Sequence, residues 1–297
     1  MSSNGPVMNQ VEQDNVQNDV QHSDSKTSAS PLTKEVEQRL GQAEELLQEA
    51  FGEASVQAPK SNRRPRREVK SPEVSIVVPV YNEQATILRV IEGLRQLPLD
   101  AEIIVVDDAS TDGTGEILRS LDSHPRLHVI PKPINQGKGA AVRTGFKQSV
   151  GSIVVVQDAD LEYDPAAIPQ LVAPIREGRA EVVYGSRFLN EEHSDSLWHR
   201  WGNGGLTTLS NWTTGLKLTD METCQKAFCS QILLGLPLEQ PRFGFEPEIT
   251  ARLAQLQARF VEVPIAYERR SYREGKKIGW RDLVSTLYCI FRYGWMS

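Results

Sequence analysis

The strongest constraint on the fold is a regular alternation of short apolar runs with amphipathic helical patterns between residues 74 and 184. The first run, Val74–Val80, is rich in β-branched residues, as expected of a strand buried in a parallel sheet. Glu83–Gln96 then carries apolar residues at helical spacing. The same criteria predict strands at Ala101–Val106, Leu127–Ile130, Ser152–Gln157 and Ala180–Tyr184, and helices at Asp112–Ser120, Gly137–Val150 and Pro165–Arg176. This order predicts an α/β fold with a mostly parallel central sheet flanked by helices.

The domain organisation follows from a change in composition near residue 70. Residues 1–31 are rich in Ser, Asn, Gln and Asp, which predicts disorder, and residues 33–54 have the spacing of one amphipathic helix. Residues 60–70 form a basic stretch that suits a solvated linker better than a surface for anionic lipid. We therefore expect an N-terminal arm over 1–70 and a globular domain over 71–297.

The overall composition excludes several classes of protein. The net charge is −6 and the pI is about 5.5, so the basic footprint of a nucleic-acid-binding protein is absent. The three cysteines form no metal-ligand pattern, which favours a reducing compartment. No apolar run approaches the roughly 18–20 residues that span a bilayer. We expect a cytoplasmic protein that contacts a membrane surface at most peripherally.

The turns after the first two predicted strands carry candidate nucleotide contacts, because ligands of such sheets bind beyond the carboxyl ends of the strands. Pro79, Tyr81 and Glu83 follow the first strand. Tyr81 suits stacking on a base or ribose, although a plain strand-to-helix turn explains these residues equally well. Asp108 follows the second strand, where a carboxylate is costly unless it binds something. Asp112 is better explained as a helix cap.

Two further strand-to-helix segments suggest phosphate and metal chemistry. Lys138 lies between glycines at a predicted helix start, where free N–H groups and a positive charge attract phosphate. Asp158, Asp160 and Glu162 follow the fourth strand and alternate along the chain, so in extended backbone they point to one side. Clustered carboxylates suit Mg²⁺ or Mn²⁺, which also bind substrate phosphates. The segment predicts a divalent metal site for a diphosphate leaving group.

The ordered motifs resemble the family 2 glycosyltransferases of the GT-A fold, a Rossmann-like α/β architecture. Within that family, the chain is most similar to the dolichyl- and polyprenyl-phosphate mannose and glucose synthases. The similarity covers about Val74 to Gly279. It rests on Pro79-Val-Tyr81-Asn82-Glu83, Val105-Val106-Asp107-Asp108-Ala-Ser110-Thr-Asp112-Gly113-Thr114, Gly137-Lys138-Gly139-Ala140, Asp158-Ala159-Asp160 and Gly185-Ser186-Arg187.

The resemblance implies roles on the donor side of the reaction. Pro79, Tyr81, Glu83 and Asp108 would hold the nucleoside, with Lys138 as a further donor contact. In the same way, Asp158 and Asp160 would bind the metal and the donor diphosphate and so act in catalysis. Glu162 would be a third metal ligand, although those synthases often have Gln at this position.

The resemblance also implies cationic contacts to an acceptor phosphate, for which arginine supplies paired donors. Arg187 would serve both catalysis and acceptor binding. Arg200, Arg270 and Arg273 would be further acceptor contacts, and the basic segment from residue 268 to 277 is similar to a late segment of the synthases.

The sequence is consistent with two alternative roles for each of several carboxylates and for the last predicted helix. Asp220 or Glu222 would be the general base if the acceptor were a glycan hydroxyl, and would otherwise orient the acceptor loop. Glu246 and Glu248 either face the site or favour a helix N-terminus. The apolar face of Trp280–Trp295 suits packing on the domain better than lying on a membrane.

The expected function is an inverting, metal-dependent transfer of mannose or glucose from GDP-mannose or UDP-glucose to a polyprenyl phosphate. The alternatives are a family 2 transferase with a glycan hydroxyl acceptor, a nucleotidyltransferase, and a nonenzymatic adaptor with an inactive domain. The nucleotidyltransferase is disfavoured because no Gly-rich, Arg-Lys-containing N-terminal loop is present. The intact acidic cluster disfavours the adaptor.

Overall fold

The computed structural model describes residues 71–121, 124–189, 197–268 and 280–295, with 197–202 and 280–282 described by their backbone alone. The predicted arm over residues 1–70 lies outside this part of the chain, so its helix and basic linker stay predictions. The described residues belong to one compact unit, Glu68–Ser297.

The sheet has seven strands in the order β3-β2-β1-β4-β6-β5-β7. The first half is wholly parallel, because β1 pairs with both β2 and β4, and β2 pairs with β3. All seven residues of β1 are buried, as its continuous apolar sequence predicts. The strands of this half are β1 (Val74–Val80), β2 (Ala101–Asp107), β3 (Leu127–Pro131) and β4 (Ile153–Val156).

In the described residues, the antiparallel strand pairings of the sheet lie in its second half. There β6 (Lys226–Cys229) runs antiparallel to both β4 and β5 (Val182–Ser186), and β5 pairs in parallel with β7 (Phe260–Pro264). The sequence patterns had not revealed β6 or β7, since these short strands lack a clear alternation or continuous apolar run. The mostly parallel sheet is confirmed.

Helices cover the sheet and connect its strands. The helices predicted between the strands are present, with shifted ends. The first begins at Ile87 rather than at Glu83, because residues 84–86 form a turn and the backbone of Thr86 (φ −122°, ψ −30°) departs from helical geometry. The helices are α1 (Ile87–Arg95), α2 (Thr114–Leu121), α3 (Lys138–Gln148), α4 (Ile168–Arg176), α5 (Leu197–Thr214), α6 (Ser230–Leu233), α7 (Phe245–Gln255) and α8 (Trp280–Gly294).

The last helix, α8, packs on the domain through one face, as its sequence favoured. Cys289 and Tyr293 are buried together with Ala251 of α7, and Gly294 allows a close approach to Thr213 at the end of α5. Among the described helices, none combines the length and apolarity required to cross a bilayer.

Candidate active site

A cavity of about 390 Å³ lies at the carboxyl ends of β1, β2 and β4. All seven residues predicted to contact the donor line it, and so does the predicted third metal ligand, Glu162. Residues far apart in sequence therefore meet at one edge of the sheet, as expected for parallel strands. The seven donor residues are Pro79, Tyr81, Glu83, Asp108, Lys138, Asp158 and Asp160.

The turns that begin the cavity are linked to one another by hydrogen bonds. Asn82 has a positive φ of 55°, and its side-chain oxygen accepts from the amide of Thr111 at 2.7 Å. The amide of Asn82 in turn donates to the Ser110 hydroxyl at 2.9 Å. Positive φ is uncommon outside glycine and persists where surrounding contacts enforce it. The two turns therefore form one preorganised wall, from which the half-exposed Tyr81 ring projects.

Asp108 is almost fully buried and organises the loop before α3. Its carboxylate accepts from the Lys132 ammonium at 2.6 Å and from the amides of Gln136 at 3.0 Å and Gly137 at 2.6 Å. These donors offset the cost of burying the charge. Asp108 thus lies where a nucleoside contact is predicted, and it also holds the loop that leads to Lys138.

Lys138 places an ammonium group in the cavity. Its ammonium lies 3.1 Å from Asp158 Oδ1, 3.2 Å from Glu246 Oε1 and 3.1 Å from Cys224 Sγ, and its side chain is 15% exposed. Burial alone would lower the pKa of Lys138, but the charges of Asp158 and Glu246 and the hydrogen bond to Cys224 raise it well above its ordinary value. The group is an ammonium held between carboxylates.

The glycines on either side of Lys138 allow the chain itself to approach closely. Gly137 has a φ of 97°, and a Cβ there would lie 2.6 Å from the Pro241 carbonyl oxygen. A Cβ at Gly139 would meet the Gln240 carbonyl oxygen. The amide of Ala140 donates to Pro241 at 3.0 Å. The glycines are therefore required for the close approach of the segment around residue 241. The sequence pattern alone is equally consistent with this packing role and with phosphate binding.

Three cavity residues had not been predicted from the sequence patterns. Arg242 and Phe243 belong to the segment around residue 241, and Asn135 belongs to the loop before α3. The segment is held by Glu248, whose fully buried carboxylate accepts from the amides of Glu239 and Gln240 at 2.8 Å each. Of the two carboxylates at the start of α7, Glu248 thus binds backbone amides and Glu246 contacts Lys138.

Asp158 and Asp160 present two carboxylates to the same cavity. Two carboxylates supply part of the coordination that a divalent cation requires. Among the described residues, no three His, Cys, Asp or Glu side chains form a ready-made metal site. Glu162 accepts from the Tyr267 hydroxyl at 2.9 Å. Mg²⁺ is commonly held by one or two carboxylates together with substrate phosphates. The pair fits such a shared site, and Glu162 as a third ligand stays a prediction.

Arg187 does not line the cavity. Its guanidinium forms a paired contact with Asp220, with both N–O distances at 2.7 Å, and its amide donates to the same carboxylate at 3.1 Å. It also lies 5.1 Å from the centre of the Tyr267 ring. Asp220 is fully buried. The predicted acceptor contact is thus engaged within the protein, and its binding role stays a prediction.

The other predicted acceptor residues receive no side-chain description. Arg200 lies on α5 where only the backbone is described, and Arg270 and Arg273 lie outside the described residues.

Behind the cavity lies a group of buried charges around β6. The Lys226 ammonium donates to the carbonyls of Met221, at 3.0 Å, and Thr223. Glu222 Oε1 and Glu246 Oε2 are buried without a hydrogen-bond partner in the described part of the chain. Burial, and after it the charge of Glu246, raise the pKa of Glu222 to about 8. Glu222 is therefore largely protonated at neutral pH.

The fold and the cavity together define an α/β protein of the GT-A class. A solved structure of glucosyl-3-phosphoglycerate synthase from Mycobacterium tuberculosis with Mn²⁺, UDP and phosphoglyceric acid matches with a TM-score of 0.58. The match has 22% identity and covers 74% of this chain and 78% of that one. A second structure of the same enzyme matches with a TM-score of 0.54 at 24% identity, over 74% and 81% of the two chains. At this identity the likeness concerns the fold.

The chain belongs to glycosyl transferase family 2, whose family model matches residues 75–233. Among its curated relatives is an undecaprenyl-phosphate 4-deoxy-4-formamido-L-arabinose transferase of Edwardsiella ictaluri, 30% identical over 72% of this chain and 66% of its own length. The Pseudomonas paraeruginosa protein of that name is 30% identical over 68% and 60%, respectively. The matched part of the chain thus spans 66% and 60% of the lengths of these two relatives, less than two thirds of each.

Proposed function

We propose that the protein is an inverting, metal-dependent glycosyltransferase that moves a hexose, mannose or glucose, from a nucleoside diphosphate to a polyprenyl phosphate. The observation that carries the proposal is the single cavity lined by all seven predicted donor residues. The cavity combines an exposed aromatic ring, an ammonium and two carboxylates at the carboxyl edge of the sheet. These groups suit the base, the diphosphate and its counter-ion.

The donor end of the proposal assigns each group a task. Tyr81 stacks on the base or ribose, while Asp108 keeps the adjoining loop in place. Asp158 and Asp160 hold Mg²⁺ or Mn²⁺ together with the donor diphosphate. Such a cation supplies charge neutralisation for the departing diphosphate. Arg242 lies on the same cavity and adds a positive charge for the phosphates.

The acceptor end draws its support from the relatives, whose names specify undecaprenyl phosphate. An ionised phosphate oxygen is already a nucleophile at neutral pH and requires no general base. That oxygen attacks the anomeric carbon while the bond from this carbon to the nucleoside diphosphate breaks. The product is a β-linked glycosyl phosphate, with the nucleoside diphosphate as leaving group.

The second candidate function is transfer to a hydroxyl acceptor, which requires a general base. The contacts of Asp220 and Glu222 favour one of these two residues for that role. Asp220 is occupied by Arg187 through both oxygens, so it is poorly suited to accept a proton. Glu222 has one oxygen without a hydrogen-bond partner in the described part of the chain, so it is the remaining candidate base. Because its pKa is raised to about 8, this alternative also predicts that transfer to a glycan increases as the pH rises through about 8. This alternative predicts that polyprenyl phosphate is inert and that Glu222→Gln abolishes transfer to a glycan.

Calorimetry with GDP-mannose and UDP-glucose, each with Mn²⁺ and with chelator, is the first test. We expect one donor to bind in a metal-dependent manner. Transfer is then assayed with a short-chain polyprenyl phosphate and, separately, with a glycan. Failure of both donors and of a wider sugar-nucleotide panel would contradict the transferase and favour the adaptor.

An aromatic patch supports peripheral contact with a membrane, where a polyprenyl phosphate resides. Trp212 at the end of α5 is 67% exposed, and Trp295 after α8 is 59% exposed, with their rings 5.5 Å apart. Phe291 lies 5.4 Å from Trp295. Tryptophan and tyrosine suit the boundary between lipid and water. We define the patch as Trp212, Phe291 and Trp295, in which the rings of the first two pack around that of Trp295; α8 also exposes Leu283, Val284 and Tyr288.

Vesicle sedimentation tests this contact. We expect the double change Trp212→Ser and Trp295→Ser to reduce binding to phosphatidylglycerol-containing vesicles. Leu234→Ser is a matched control, because Leu234 is 80% exposed and lies after α6, outside the patch. Equal vesicle binding by all three proteins would contradict membrane contact through the patch.

A further inference from the structure

The position of Lys138 has a consequence for how the donor site is loaded. Its ammonium lies 3.1 Å and 3.2 Å from the two oxygens of Asp158, the first of the three predicted metal-binding carboxylates. Both side chains line the same cavity. A divalent cation bound by Asp158 would therefore have a positively charged neighbour at close range.

The ammonium is anchored by parts of the chain that are far apart in sequence. Glu246 at the start of α7 lies 3.2 Å from it, and Cys224 in the segment before β6 lies 3.1 Å from it. Glu246 is itself nearly fully buried. Two carboxylates around one ammonium keep it charged and restrict its movement away from Asp158.

A diphosphate changes this balance because it brings negative charge into the cavity. Its oxygens can accept from the ammonium, which relieves the repulsion between the ammonium and a divalent cation at Asp158. Cation and diphosphate then favour each other's binding, and the coupling between two ligands is reciprocal.

We propose that Lys138 is the counter-ion of Asp158 in the donor-free protein and opposes the binding of a divalent cation to Asp158. This opposition ends when the phosphates of a nucleoside diphosphate bind the ammonium and neutralise its charge. Cation and nucleotide consequently load together, and the cation alone binds weakly. This inference rests on the proposed donor site. It assigns Lys138 opposite effects on its two ligands, since it weakens binding of the free cation and strengthens binding of the nucleotide.

The test measures Mn²⁺ binding without nucleotide, from the loss of the free-ion electron paramagnetic resonance signal. We expect Lys138→Met to bind Mn²⁺ alone at least about tenfold more tightly than the wild type, because a neighbouring positive charge is gone. The same variant should bind UDP or GDP, whichever the wild type prefers, about tenfold more weakly in the presence of Mn²⁺. A purely structural ion pair does not predict these opposite changes.

Three further variants keep the result decisive. Lys138→Gln is also neutral but retains a hydrogen-bond donor for Asp158, so it replaces Lys138→Met if circular dichroism shows that the latter is unfolded. Lys138→Arg keeps the charge and should retain weak Mn²⁺ binding. Lys147→Met removes a lysine from the exposed side of the same helix and should bind Mn²⁺ like the wild type.

The outcomes separate this inference from the proposed function. If a folded neutral variant binds Mn²⁺ alone no more tightly than the wild type, Lys138 does not oppose the cation and the inference is wrong. If the wild type binds no nucleoside diphosphate with or without Mn²⁺, the proposed function is wrong, whatever the variants show.

Discussion

The two halves of the sheet use their charged residues differently. In the parallel half, charged side chains follow β1, β2 and β4 and line one cavity. In the half that contains antiparallel β6, Arg187 and Asp220 are paired with each other, and Lys226 is bonded to carbonyls. The first half presents charge to an open cavity, whereas the second neutralises charge inside the protein.

The difference follows from topology. Parallel strands end at the same edge, so the residues after them meet and remain accessible. An antiparallel strand reverses the direction of the chain, and Lys226 at its start enters the interior, where it lies 4.5 Å from the centre of the Tyr184 ring. Each half consequently predicts a different response to substitution: lost binding and activity in the first, and lost stability in the second.

The largest expected effect is on catalysis in the parallel half. Asp160→Asn should lower transfer by about 10³-fold or more, because it removes a carboxylate that is proposed to hold the cation and diphosphate. The unfolding midpoint should change little. Asp164→Asn is the control, since the exposed Asp164 carboxylate lies outside the cavity lining. It caps a helical turn by accepting from the amide of Ala166 at 2.9 Å. Unchanged transfer by Asp160→Asn would contradict the metal assignment.

In the second half, Asp220→Ala should lower the free energy of unfolding by about 3–5 kcal/mol, because it leaves the buried Arg187 guanidinium without its partner. Replacing both residues, by Arg187→Met and Asp220→Leu, should recover much of that loss. Urea unfolding measures both changes.

The control for this pair is Asp100→Ala, which breaks the exposed ion pair with Arg126 and should cost less than about 1 kcal/mol. If Asp220→Ala costs no more than this control, the second half does not depend on internal neutralisation of charge. The comparison between the two halves would then fail.

A smaller effect concerns the pH dependence of stability. The pKa of Glu222 rises from 4.5 to about 8 on folding, through burial and then the charge of Glu246, with Lys226, Arg187 and Asp220 also nearby. Folding therefore takes up a proton between these values. The stabilisation is complete below pH 4.5 and is lost as the pH rises through about 8.

Glu222→Gln should flatten this decline, which amounts to at most about 1.4 kcal/mol per pH unit. Urea unfolding at pH 5, 6, 7 and 8 measures it. Glu116→Gln removes an exposed carboxylate and should leave the wild-type slope. A wild-type slope that persists in Glu222→Gln would show that other groups take up the proton.

The smallest expected effect concerns a contact between the two halves. Tyr267→Phe removes the hydrogen bond to Glu162 and should lower the free energy of unfolding by about 1 kcal/mol. Tyr288→Phe is the control, because the Tyr288 hydroxyl lies on the exposed face of α8, 3.0 Å from Arg292. Equal stability of the two variants would mean that the Glu162 contact contributes no more than a surface contact.

Local patterns were sufficient to predict the parallel half of the fold and seven residues that line the cavity, whose donor-binding roles stay predictions. The continuous apolar sequences of β1 and β2 are sufficient to predict buried parallel strands. The residues that follow such strands lie at the carboxyl edge of the sheet. Arg242 and Phe243 could not be found in this way. They reach the cavity because Gly137 and Gly139 admit a segment about a hundred residues away, and no local periodicity records such an approach.

The sequence by itself thus determined the α/β architecture, the family resemblance and the residues around the donor cavity, because strand order and side-chain alternation are local properties. Only the tertiary structure decided what each charge meets. Arg187 is read from the sequence as a phosphate contact but is paired with Asp220, and Lys138 is read as a phosphate contact but lies against Asp158 and Glu246. The partner of a charge depends on distance in space, which residue order alone does not specify.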